Sequence, residues 1–332
     1  MNARQEQRRF TAARIRQQFT PGTTTDVSLA GAASIPLADS YRERQTRFRW
    51  SVVRSQIRSH PVHAASALIL VFMVALALAG PLLPLPDAQQ QDLISRLQPP
   101  MSRGTDGTLH IAGTDQLGRD VLARLIAGAR VTLGISLVTV LIAGTIGSLL
   151  GLLAGYRGGP VDHLIMRLVD LQMAFPSLLF AMFLLYLLGA TIVNLILLLT
   201  VLGWIGFTRI TRAQTLSIRN QVFVESARAI GCSNGRILLR HILPHMVPVL
   251  AVIAVFDFSG IMLAEAGLSY LGLGVQPPDT SWGRMIAEGQ QYVYTGGWWL
   301  FLFPGGAIFL IVLSARLTSA WIQDMIGHTN GA

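Results

Sequence analysis

The chain has no lysine, a single cysteine and few acids: all 26 basic residues are arginines, against 17 Asp and Glu. Each shortage excludes a chemistry. A P-loop needs a lysine to reach nucleotide phosphates, so the chain is not expected to hydrolyse ATP, and lysine Schiff-base catalysis is excluded on the same ground. Cys232 alone forms neither an internal disulfide nor a cysteine cluster. Charge of either sign is scarce, at 13% of residues, where soluble domains carry about a quarter. What fills the space is apolar: 52% of the residues are hydrophobic and the mean hydropathy is +0.50. A soluble core of this length could not hide so much apolar surface.

The hydrophobic runs compare with the ~20 residues that a spanning helix needs. His63 to Pro86 holds one span and Val131 to Tyr156 a second. Leu171 to Thr208 is long enough for two, with Gly189 to Asn194 as the turn; Met246 to Gly274 holds a fifth and Trp298 to Ala315 a sixth. The expected fold is an all-α membrane protein with six transmembrane helices.

Six spans put both termini on one side, and the arginines say which. With the amino terminus inside, the tail carries eleven, the loop from Arg157 to Asp170 two, the stretch from Arg209 to His245 six and the carboxyl end one, leaving six outside. That bias follows the positive-inside rule. Tyr292, Tyr294, Trp298 and Trp299 then fall at the outer interface and Trp321 at the inner one. The net charge of +9 and the pI near 10.9 are met by anionic membrane lipids, with no nucleic acid required.

Residues 1–62 read as a basic cytoplasmic tail, 63–326 as the membrane domain and 327–332 as a cytoplasmic terminus. Met1 to Thr20 has no apolar core and does not read as a cleaved signal peptide. Thr20 to Ser40, rich in Gly, Thr, Ala and Ser, predicts no fixed structure. From Arg42 to His60, Phe48, Val52, Val53 and Ile57 alternate with arginines, which fits an interfacial amphipathic helix or a plain basic arm.

Between spans four and five lies a polar stretch, 209–245, with six arginines and one acid, Glu225. Leu216, Phe223, Ala227 and Ile230 share one helical face. Gly231 suits the left-handed residue that ends a helix, Ser233 can cap the next, and Pro244 stops it. This predicts a helix-turn-helix in water, with a half-apolar face that invites a partner. Glu225-Ser226-Ala227, then Gly231, then Ile242-Leu243-Pro244 resembles the cytoplasmic Glu-Ala-Ala loop of permease subunits of binding-protein-dependent ABC importers. Ser226 replaces the first Ala of that pattern, and His241 stands where Ile is expected.

Three further segments resemble the dipeptide and oligopeptide branch of that family, which also includes nickel transporters. They are His110 to Leu125; Gly155 to Gly159 with Asp162, Met166, Arg167, Asp170, Phe175 and Pro176; and Leu268 to Pro278 with Ser281, Trp282 and Gly283. The resemblance covers about Arg42 to Ile326. It implies the ABC importer permease fold, in which 209–245 is the coupling loop that seats in an ATPase. It also implies these partners: a second homologous permease, two ATPase subunits or domains that bind ATP and Mg, and an extracytoplasmic peptide-binding protein. This chain itself would bind no cofactor. The implied function is translocation of di- or oligopeptides across the bacterial inner membrane.

Other readings compete at particular residues. His110, Asp115, Arg119 and Asp120 could form an acid/base cluster, but Thr114 and Asp115 also read as a helix start braced by Arg119. His241 and His245 have the i, i+4 spacing of a metal pair, yet no carboxylate accompanies them and Pro244 lies between, so no metal site is expected. Ala143, Gly147, Gly151 and Gly155 recur every four residues as a flat strip for helix packing, with the partner permease as one candidate neighbour. Asp257 and Glu265 lie in the fifth span, where charge is expensive, and are candidates for the translocation path. They also support the alternative mechanism, a proton-coupled secondary transporter with these two acids as the relay.

Overall fold

A computed structural model describes residues 61–105 and 107–330. The helix considered over Arg42 to His60 lies outside the described residues. Helix α1 (Pro61–Ala79) runs into a short 3₁₀ turn, and α2 (Val121–Arg157) is the longest early helix at 37 residues. Then come α3 (Gly159–Met173), α4 (Ser177–Leu188), α5 (Ile192–Ile218), α6 (Val222–Ala229) and α7 (Asn234–Ile237). Helices α8 (Leu243–Tyr270), α9 (Trp282–Gly289) and α10 (Trp299–Asn330) complete the chain. A two-stranded antiparallel ribbon, β1 (Ser102–Arg103) with β2 (Leu109–His110), folds the long loop before α2.

Among the described residues, five helical segments are long and apolar enough to cross a bilayer, and six if α3 and α4, bent by 87° at their junction, count as one. The bend differs from the smooth third span expected from Leu171 onward. Phe175 precedes Pro176, and a residue before proline is pushed out of the helical region, so α3 ends at Met173 and a new helix starts at Ser177. The turn expected between spans three and four is present: Gly189 ends α4, and Thr191 caps α5 by accepting from the Asn194 amide at 3.2 Å.

Two other boundaries move. Helix α2 begins ten residues before the expected Val131, because Asp120 caps it by accepting from the Ala123 amide at 2.8 Å. Pro244 does not end the second hairpin helix. It occupies the first turn of α8, where its missing N–H is tolerated, and a π-helical segment over Leu238–Ile242 carries the chain from α7 into α8 without a break. The second arm of the hairpin is therefore the leading end of the fifth span.

Helices α2 and α5 pack along their lengths. The core at one end joins α2, α8, α9 and α10 through buried Val121, Leu133, Met262, Trp282, Trp299 and Ile311. Trp282 donates from its indole to the Leu125 carbonyl at 2.8 Å, so its polar edge is satisfied inside that core. A smaller core at the other end gathers Leu152, Ile218, Val224, Ala227, Ile237, Ile242 and Met246 beneath the hairpin.

Candidate functional site

The hairpin is built on that smaller core. Val224 and Ala227 point inward, whereas Glu225 and Ser226, between them, are exposed. The buried face is thus shifted from the one expected. Phe223 is half-buried and stacks on the His245 ring at 4.9 Å, Leu216 is half-buried, and Ile230 is 80% exposed because α6 ends one residue before it. Gly231 has φ +82°, as a left-handed helix end requires, and its amide donates to Arg228 O at 3.0 Å. Ser233 sits at the start of α7 without making a side-chain cap.

Of the remaining expected coupling residues, Ile242 is buried, Leu243 half-buried and Pro244 exposed. The hairpin is anchored to α2: the Tyr156 hydroxyl donates to Asn234 Oδ1 at 2.9 Å, and Arg219 donates to Gly155 O at 2.8 Å. Its outer surface carries Val222, Ile230 and Leu239, each more than half exposed, beside Glu225, Arg228 and Arg240. Val222 and Leu239 had no signal in the sequence, since their exposure depends on the turn that sets the two arms. His245 Nδ1 lies 2.7 Å from His241 O, and among the described residues no three His, Cys, Asp or Glu cluster as a metal site would need.

The small-residue strip packs within the chain. A Cβ added at Gly155 would sit 2.7 Å from Thr215 Cβ, one at Gly151 2.8 Å from Thr211 Cβ, and one at Gly203 of α5 3.3 Å from Ala143 Cβ. The partner of the strip is therefore α5, where a second permease had been considered.

At the opposite end, the cluster of the outer loop forms a buried ion network. Asp115 receives Arg119 Nε at 2.7 Å and Arg124 Nη1 at 2.5 Å. Arg124 and Arg119 also reach Glu288 of α9, at 3.0 and 3.3 Å, and Arg284 reaches the other Glu288 oxygen at 2.8 Å. Burial raises the pKa of Glu288, but Arg124, Arg284 and Arg119 outweigh it and hold the carboxyl below its ordinary 4.5. His110 Nδ1 meets Asp120 Oδ2 at 2.8 Å, which orients the cap of α2. The helix start expected at Thr114 and Asp115 falls at Asp120 instead. Thr114 accepts the Trp299 indole on its carbonyl at 3.1 Å, and Asp115 nucleates a turn closed by Gly118, whose φ is +74°. Each charged member of this cluster has a structural partner among the described residues.

The two acids of α8 stand apart. Glu265 is fully buried and receives the Ser269 hydroxyl at 2.7 Å, and its second oxygen has no partner among the described residues. Asp257 is half-buried, within electrostatic range of Arg316 of α10, whose guanidinium lies 3.5 Å from the Phe256 ring centroid. No hydrogen bond or ion pair joins Asp257 to Glu265 among the described residues.

A cavity of about 1260 Å³ opens between α1, α2 and α8 and extends up to the ion network. Leu78, Leu137 and Phe258 represent its apolar wall, and Arg124, Arg284 and Glu288 part of its rim. Arg130 and Asp279 also line it. In the sequence Arg130 is marked only as one of the six outer arginines.

The family described as binding-protein-dependent transport system inner membrane component matches residues 147–327, and the N-terminal transmembrane domain of oligopeptide transport permease C matches residues 49–100. A probable D,D-dipeptide transport system permease of Escherichia coli K12 is 36% identical over 87% of this chain and 95% of its own length. The oligopeptide transport system permease of Mycobacterium tuberculosis H37Rv is 36% identical over 84% of this chain and 94% of its own. The nickel transport system permease of Escherichia coli K12 is 36% identical over 78% and 91%.

Proposed function

Because the chain belongs to the binding-protein-dependent family of inner-membrane transport components, we propose that it forms half of the pore of an ATP-driven peptide importer and that residues 209–245 transmit the stroke. The family makes it a permease subunit, a transport component that works with an ATPase and a substrate-binding protein. Nothing in the comparisons supports the proton-coupled alternative. Di- or oligopeptides are the proposed cargo, in line with the dipeptide and oligopeptide permeases among its relatives. A second, homologous permease completes the pore, two ATPase domains seat on the hairpins, and ATP with Mg binds on those domains. The hairpin and both termini face the cytoplasm in this reading, which the arginine bias supports.

The observation that carries the coupling role is the hairpin's construction. Its inner face is buried against the ends of α2, α5 and α8, so force applied to α6 passes into three spans. Its outer face presents Val222, Ile230 and Leu239 to a partner. Closure of the ATPases on ATP moves this lever, opens the path outward to the loaded binding protein, and hydrolysis returns it inward.

The test is reconstitution of the four component types in liposomes. Uptake of a radiolabelled dipeptide that requires ATP and the binding protein supports the reading. Uptake driven by a proton gradient with the ATPases left out overturns it.

A further inference from the structure

Every member of the ion network at the rim of the cavity is paired, three guanidiniums on two carboxylates: Arg119, Arg124 and Arg284 all bond to Glu288 or Asp115. Two charged side chains on the same cavity wall are left over. Arg130, exposed on α2 six residues past Arg124, and Asp279, exposed in the loop before α9, make no hydrogen bond or ion pair with any described residue. They differ in sign. An open cavity that offers one unspent cation, one unspent anion and an apolar wall is complementary to a zwitterion with side chains. At about 1260 Å³ it exceeds the ~300–1,000 Å³ of ordinary small-molecule sites, leaving room for more than one residue.

We propose that this cavity receives the peptide as it leaves the binding protein, with Arg130 taking its α-carboxylate and Asp279 its α-ammonium. The guanidinium fork matches a carboxylate in two parallel hydrogen bonds, which an ammonium-bearing lysine could not reproduce. The apolar wall accepts side chains without reading them. Such a site selects for free termini over sequence, as a peptide carrier needs. This inference rests on the peptide-importer reading.

The same reconstituted transporter tests it, with radiolabelled alanyl-alanine as the probe. Arg130→Gln and Asp279→Asn each lower the initial uptake rate roughly tenfold, the loss expected for one charged hydrogen bond. Asp279→Glu restores much of it, whereas a merely structural role for Asp279 would not follow the charge. Gly134→Leu is an independent probe: Gly134 lines the cavity, and a Cβ there meets nothing within 4 Å, so the added side chain fills the cavity without displacing backbone. It lowers uptake of a tripeptide more than of alanyl-alanine. Wild-type uptake in Arg130→Gln, Asp279→Asn and Gly134→Leu overturns the inference and leaves the importer reading standing. Loss of the second permease from the purified complex in these variants also overturns it, because the cavity is then a subunit contact. Failure of the wild-type complex to take up any peptide removes both.

Discussion

Arg124 and Glu288, 164 residues apart in the chain, meet at 3.0 Å and join the start of α2 to α9. Arg124 is 4% exposed and also holds Asp115, itself 1% exposed. Replacing Arg124 by Met removes one guanidinium from a buried carboxylate, Asp115, and a half-buried one, Glu288. Truncating one partner of a buried ion pair costs about 3–5 kcal/mol, far more than an exposed pair is worth. Arg124→Met should lower the thermal midpoint of the detergent-purified complex and make the loop before α2 sensitive to protease. An unchanged midpoint would show that the network does not hold this end together.

The same network gives stability a pH dependence. Glu288 is held below its ordinary 4.5, so it contributes stability that is complete above that value and is lost as pH falls through the depressed folded value. Thermal midpoints measured downward from pH 6 should hold until about pH 4.5 and then fall. Glu288→Gln should start lower and lose part of that acid slope. Parallel curves for the two proteins would assign the slope to other carboxylates.

Along α2, the glycines facing α5 have no room for a side chain, whereas Gly260 of α8 has nothing within 4 Å of an added Cβ. Gly151→Leu should therefore destabilise by several kcal/mol, beyond the ~1–3 of ordinary overpacking, since backbone must move. Gly260→Leu should be tolerated. Scanning fluorimetry on the two variants separates the outcomes, and equal midpoints would contradict the α2–α5 packing.

The spans, the turn at Gly189 and the left-handed end at Gly231 were legible in the sequence because each rests on local chemistry: hydropathy, a missing Cβ, a cap. What was not legible depends on residues far away in the chain. Val121 to Arg130 reads as too charged to extend a span, until Glu288 supplies a partner for Arg124. Pro244 reads as a stop, but a π-helical segment upstream absorbs its missing donor. The break at Phe175 hides inside a continuous apolar run, because hydropathy does not register the backbone restriction before Pro176. The strip from Ala143 to Gly155 announced close packing without naming its partner.

At the hairpin, Glu225 is exposed and Gly231 adopts φ +82°, so the two can be changed for separate reasons. Glu225→Arg alters only the exposed surface of the hairpin, the one proposed to meet the ATPase. Gly231→Val forces an L residue into the left-handed region at about 1–2 kcal/mol and displaces the second arm. Both should cut ATP-driven uptake more than tenfold and reduce copurification of the ATPase, with membrane insertion unchanged. Normal ATPase recovery with both variants would remove the hairpin from the coupling path.

The native thiol offers a direct test of orientation. Cys232 is the chain's only cysteine and lies half-buried just after Gly231, whereas Tyr294, 96% exposed, stands at the opposite end between α9 and α10. If the arginine bias sets the topology, a membrane-impermeant maleimide should label Cys232 in inverted vesicles and spare it in intact spheroplasts. In a Cys232→Ser background, Tyr294→Cys should show the reverse. Both positions belong to the same chain, so accessibility differences between preparations cancel in the comparison. Labelling of the two sites from one side would require an even number of spans between them, zero included. Of the helical segments long and apolar enough to cross among the described residues, only the one containing α8 lies between Cys232 and Tyr294. Same-side labelling would therefore mean that α8 does not cross, and the hairpin could not be a cytoplasmic lever.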